Sequence, residues 1–138
     1  MISKVTQKGI EAQLRAELRA NELGYIVSKP TTECCRYDMI IDDGMSLKRI
    51  QVKYCDHAPA DADGSVHVEF RKCSNNGKER PCYTEKEVDA VVVFVAPIKR
   101  FCYIPIDVVA NKTSINLRYQ SPKNGQRAGV YMCKDYYW

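Results

Sequence analysis

The 138-residue sequence predicts an α/β fold in which helices flank a mixed central β-sheet. Three features predict it: a helical period near the N-terminus, a two-stranded ribbon between residues 36 and 54, and an unbroken apolar run near residue 90. Segments of both periods, joined by short polar loops, call for layers stacked on one sheet. The length suits a single domain, residues 1–138, with room for a real core.

Residues 5–23 read as a helix. Ile10, Leu14 and Leu18 recur at a spacing of four, Ala12, Ala16 and Ala20 are good helix formers, and Gly24 stops the run. A strand follows at 25–28 ("YIVS"), ended by Pro30. Residues 36–42 and 47–54 alternate in polarity around "DDGM", a hairpin signal. "SVHVEFR" at 65–71 alternates as well, whereas "VDAVVVFVAP" at 88–97 is apolar almost throughout and fits a strand buried on both faces. "FCYIPI" at 101–106 and "SINLRY" at 114–119 complete the sheet. "YTEKEVDA" and "PIDVVAN" each leave room for a turn or a short helix.

Composition narrows the function classes. No run of about 18 apolar residues exists, and the N-terminus has no apolar stretch after its charges, so no membrane span or secretion signal is expected. Cys34, Cys35, Cys55, Cys73, Cys82, Cys102 and Cys133 form no CxxC pair and are odd in number, which indicates reduced thiols in the cytoplasm. The net charge of +4 is unevenly spread. "RKCSNNGKER" at 71–80 and "NKTSINLRYQSPKNGQR" at 111–127 are basic and rich in Asn and Gln. Such loops neutralise phosphates and reach base edges, although solvated loops of any soluble protein look similar.

The ribbon carries the chemistry. A turn at Gly44–Met45 places Asp38 opposite Gln51, Tyr37 opposite Val52 and Met39 opposite Ile50. Alternation then puts Tyr37, Met39, Ile41, Ile50 and Val52 on a core face, and Asp38, Gln51 and Lys53 together on the other. An acid, an amide oxygen and the intervening Val52 carbonyl are hard oxygen donors, suited to Mg²⁺. Lys53 adds a charge able to touch a phosphate oxygen, so the group could hydrolyse a phosphodiester. A surface salt bridge between Asp38 and Lys53 would produce the same pattern.

"YDMIIDDG…RIQVKY" resembles the PD-(D/E)xK nuclease superfamily, and within it the branch of group I intron-encoded homing endonucleases that carries Gln before xK. The likeness extends over nearly the whole chain: "KGIEAQLRAELRANELGYIVSKP" is similar to the branch's leading helix and first strand, "VDAVVVFVAPIKRFCYIP" to its later strands, and "KTSINLRYQSPKNGQ" to its closing basic segment. The resemblance implies a restriction-endonuclease-like fold, with Asp38 as the metal-binding aspartate, Gln51 in place of the motif acid, Lys53 as the motif lysine and Val52 lending its carbonyl. Tyr37 stands where many members have proline. The helix position that usually carries a metal-facing glutamate, four residues after Gly9, is here Gln13, which is isosteric but neutral. Glu17, which sits on the apolar stripe between Ile10 and Leu14, or Glu11 could supply the missing acid instead.

The expected function is a Mg²⁺-dependent homing-type endonuclease that cuts double-stranded DNA at a specific site, as a homodimer or homotetramer. Specificity is assigned to Lys72, Asn75, Asn76, Lys78 and Arg80 in one loop. Arg118, Lys123, Asn124, Gln126 and Arg127 supply it in another. A junction resolvase and a catalytically inactive DNA-binding module are the alternatives. His57 and His67 lack ligand spacing, Asp89 reads as structural, and Tyr119 with the aromatic run at 136–138 reads as packing surface.

Overall fold

The computed structural model describes residues 1–58, 63–70 and 81–138. Helix α1 (Lys4–Glu22) is capped at its start by Ser3, whose hydroxyl accepts the Thr6 N–H at 3.2 Å. It ends in a Schellman pair: Tyr25 N–H donates to Ala20 O and Gly24 N–H to Asn21 O, both at 2.9 Å, with Gly24 at φ 80°. The chain then forms β1 (Ile26–Ser28), β2 (Met39–Asp42), β3 (Leu47–Cys55) and β4 (Ser65–Glu69). β5 (Ala90–Val95), β6 (Arg100–Pro105), a single-turn α2 (Ile106–Val109), β7 (Ser114–Arg118) and β8 (Tyr131–Met132) follow.

The central sheet has the order β1-β2-β3-β5-β6 and is mixed, because β3 and β5 run parallel while its other pairs are antiparallel. Every residue of β5 is buried, as its two-sided apolar run requires. One face packs on α1 through Ala12, Ala16 and Ala20 against Met39, Ile41, Ile50, Val52, Val92 and Phe94. The other face carries Val91, Val93, Val95 and Ile104, packed against α2 and a second sheet of order β4-β7-β8. β4 and β7, which fall within the expected strands at 65–71 and 114–119, therefore do not complete the central sheet. Their alternation is the same in either place, and only the pairing of Val66 with Leu117 and Val68 with Ile115 decides it.

The helix also turns differently from the expectation. Its alanine stripe faces the sheet, since small side chains let the backbones approach closely. Ile10, Leu14 and Leu18, offset by two residues and so about 200° around the axis, are 43%, 58% and 60% exposed. Among the described residues no helix is long and apolar enough to cross a membrane.

Asp89 clamps β3 to β5. Its carboxylate accepts the Arg49 N–H at 2.7 Å and the Arg49 Nε and Nη2 at 3.0 and 3.1 Å, while its own N–H donates to Arg49 O at 2.9 Å. These bonds hold its carboxyl below the ordinary value of 3.8. Asp89→Asn is expected to lower the unfolding free energy by about 1 kcal/mol. A depressed aspartate stabilises fully above its unfolded pKa, so chemical denaturation at several pH values should show the gap at pH 7 and its loss as pH falls below about 4.

Candidate active site

β2 and β3 meet through a tight turn. Gly44 takes φ 84°, and Asp43 Oδ1 accepts the N–H groups of Met45 at 2.9 Å and Ser46 at 2.8 Å. Met39 pairs with Ile50 and Ile41 with Lys48, which is the register that brings residue 38 level with residue 51. The chain bends at Asp38, so strict alternation stops at Met39. Tyr37 consequently leaves the face of Met39 and Ile41 and packs against the cluster shared by the two sheets.

At that bend three groups converge. Asp38 N–H donates to Ile50 O at 2.8 Å, and Asp38 Oδ2 accepts the Val52 N–H at 2.8 Å and Gln51 Nε2 at 2.7 Å. Gln51 Nε2 donates also to Val52 O at 3.2 Å. Because β3 pairs on its far side with β5, Gln51 beside Val91 and Lys53 beside Val93, the backbone beneath these side chains is fixed by an interior strand.

Lys53 projects from the same face as Gln51 and lies half-buried, its Nζ 5.6 Å from the centre of the Tyr83 ring. Burial drives its pKa below the ordinary lysine value. Cys55, further along that face, has its thiol pushed up to about 12 by burial, so it stays neutral at pH 7. The negative charges that hold the proton on Lys53 are then Asp38 and Glu69, and Arg36 works against them.

Two hard oxygens, from Asp38 and Val52, thus already face one centre of positive polarity, the Gln51 amide nitrogen. With the amide turned to present its oxygen, this donor set fits a small divalent cation. Among the described residues no group of three His, Cys, Asp or Glu gathers as a metal site, so the set here is one carboxylate, one carbonyl and one amide.

The family model for PD-(D/E)XK endonucleases matches residues 3–138. The chain belongs to this endonuclease family. The structure of a bacterial homing endonuclease, I-Ssp6803I, is similar in fold, with a TM-score of 0.77 and 22% sequence identity over 98% of this chain and 89% of that one. Comparison with curated proteins gives no match.

The other residues of this PD-(D/E)XK chain fall less neatly into place. Gln13 is half-buried on α1, and no hydrogen bond of its side chain occurs among the described residues. Glu11 bonds Arg15 at 2.8 Å and Glu17 bonds Lys29 at 2.5 Å, so each of these acids is held in an ion pair. The cost expected of a carboxylate on an apolar stripe does not arise, because Ile10, Leu14 and Leu18 face solvent.

Of the two basic loops expected to read DNA, Lys72, Asn75, Asn76, Lys78 and Arg80 lie outside the described residues. In the second, Arg118 donates to the carbonyls of Gln120 and Asp63 at 3.2 Å, which anchors its charge without neutralising it. Asn124 Oδ1 accepts the Gln126 N–H at 3.1 Å, Gln126 Nε2 donates to Ala128 O at 3.2 Å, Lys123 stands 3.8 Å from the exposed Asp63 carboxylate, and Arg127 is exposed. His67 bonds Asn116 and Glu69, and Trp138 packs edge-on against Phe101.

Arg36, Tyr83 and Glu69 stand at the site without a sequence pattern that points to them. Arg36 lies 4.3 Å from the centre of the buried Tyr83 ring and pairs with Glu87 at 3.2 Å, and Glu69 reaches Lys53 electrostatically. Position 36, just before the "YD" of the ribbon, is the only hint the sequence offers.

Proposed function

We propose that this chain is a Mg²⁺-dependent, site-specific homing-type endonuclease that hydrolyses phosphodiester bonds of double-stranded DNA in the cytoplasm. The observation that supports this reading most is the meeting of Asp38, Gln51 and the Val52 carbonyl at one point, with Lys53 beside it. Asp38 and Val52 would hold Mg²⁺, with Gln51 and Gln13 able to lend amide oxygens. When bound, the cation favours ionisation of water and offsets the charge that builds on the phosphate.

Lys53 orients the attacking water and donates hydrogen bonds to the phosphate oxygens as charge accumulates on them. Its Nζ stands 5.6 Å from the centre of the Tyr83 ring and its backbone pairs with Val93 of β5, so its ammonium is aimed before DNA arrives. Water oxygen forms the new bond to phosphorus, and the ester bond on the opposite side breaks. With only one carboxylate in the donor set, the site leans on the DNA phosphate to complete the cation's coordination. Binding through the basic loops makes affinity fall steeply with salt.

One such site cuts one strand, so a double-strand break takes at least two copies, as a homodimer or homotetramer. The exposed Ile10, Leu14 and Leu18 offer an apolar face for that assembly. Leu14→Lys is expected to shift sedimentation velocity toward smaller species; unchanged sedimentation would remove this face from the assembly.

Digesting a randomised pool of duplex DNA with Mg²⁺ present and sequencing the ends tests the function. The expected result is one recurrent end sequence. Preferential cutting of four-way junctions would assign a junction resolvase instead. Binding without cleavage in Mg²⁺ or Mn²⁺ would leave an inactive nuclease fold that serves as a DNA-binding module.

A further inference from the structure

Gln51 sits where an acid would be expected, and its contacts give that choice a physical meaning. Its amide terminus lies between Asp38 Oδ2 at 2.7 Å and Val52 O at 3.2 Å. A carboxylate oxygen and a backbone carbonyl can only accept, so the atom between them has to be the donor nitrogen. An amide oxygen in that position would put three oxygens against one another. The orientation of Gln51 is thus fixed by the chemistry of its two partners.

We propose that Gln51 is an internal stand-in for the cation, whose amide holds the two oxygen donors together in the metal-free protein and must turn over to admit the ion. The inference rests on the reading that a divalent cation binds at Asp38 and Val52. The N–H₂ group supplies the positive polarity that both oxygens need, at the point where the ion would supply it. A glutamate in the same place has no proton to give and sets a second negative charge against Asp38. Such a site repels itself until a cation or proton arrives, whereas the glutamine site is assembled beforehand.

Entry of the ion then has a defined cost. Gln51 gives up a charge-assisted bond to Asp38 and a second bond to Val52, then turns over to present its oxygen. Cation affinity is therefore weaker than glutamate would give, and the gain is a site that stays ordered without metal. Selectivity follows as well. A weakly held ion gains further ligands when a DNA phosphate arrives to share its coordination, so the site fills at lower cation concentration in the DNA complex than without DNA.

Two measurements on the full chain without DNA test this. Thermal unfolding of wild type and Gln51→Glu is followed in EDTA and in excess MgCl₂. Wild type is expected to melt at nearly the same temperature in both, whereas Gln51→Glu melts lower in EDTA and regains the difference in Mg²⁺. Gln51→Glu matching wild type in EDTA would overturn the proposal, and this arm needs no metal to bind.

The second measurement uses wild type alone, so it stands even where the variant fails to fold. The side-chain amide resonances of Gln51 are followed by NMR during CaCl₂ titration. They are expected to shift together with the backbone amides of Asp38 and Val52. Backbone shifts without any change at the Gln51 amide would overturn the stand-in role while leaving the cation site intact. No shift anywhere in residues 38–53 would overturn the cation reading itself, and the stand-in role with it.

Discussion

Lys53→Met is expected to reduce single-turnover DNA cleavage by on the order of 10³-fold, while DNA affinity and the melting temperature hold steady or rise. The ammonium is half-buried against Tyr83, and burial already presses its pKa down, so the folded protein carries a desolvation cost there. Methionine keeps the length and apolar stem of lysine, removes that cost and cannot hydrogen-bond a phosphate oxygen. Function and stability should therefore move in opposite directions. The pH dependence has a definite sign. Above its lowered folded pKa and below the ordinary 10.5, Lys53 holds fewer protons folded than unfolded, so wild type gains stability relative to the variant as pH rises through that window. Cleavage assays, fluorescence anisotropy with labelled duplex, and calorimetry at several pH values check the three parts. A large drop in melting temperature would instead make Lys53 a structural residue.

Asp38→Asn is the second large effect. The asparagine oxygen can take the place of Oδ2 and still accept from Val52 N–H and Gln51 Nε2, so the ribbon stays joined with neutral bonds in place of charge-assisted ones. The expected stability loss is about 1 kcal/mol. The carboxylate, the one full negative charge in the donor set, is gone. Calorimetric titration should find no Mg²⁺ binding, and cleavage should fall by on the order of 10³-fold or more. Asp38→Ala is expected to behave differently, because it leaves the Val52 N–H and the Gln51 amide without an acceptor. That variant should lose about 2 kcal/mol or more of stability, so the comparison separates the two jobs of one side chain.

The parts legible in the sequence were those fixed by neighbours along the chain. A turn built on Gly44 sets the register of Met39 against Ile50, and the register alone brings Asp38 to Gln51. The length of α1 and the two-sided burial of β5 follow from local pattern in the same way. What the pattern left open depended on distant partners. Both stripes of α1 are apolar at a spacing of four, and only the closeness of the sheet selects Ala12, Ala16 and Ala20 over the larger residues. The strand at 65–69 alternates as a central-sheet strand would, yet its partner is β7. Tyr37 departs from the face that alternation predicts because a bend at Asp38 lies between it and the start of β2, a feature that residue pattern does not encode. Arg36, Glu69 and Tyr83 reach Lys53 from three separate segments, with no periodicity linking them.

The most direct test compares fragments from a duplex DNA pool treated with wild type in Mg²⁺, wild type in EDTA, and Asp38→Asn in Mg²⁺. A divalent ion gripped beside the scissile phosphate at the Asp38 bend, facing Gln51 and Val52 of β3, predicts fragments in the first reaction alone. Equal cutting by Asp38→Asn, or undiminished cutting in EDTA, would contradict it.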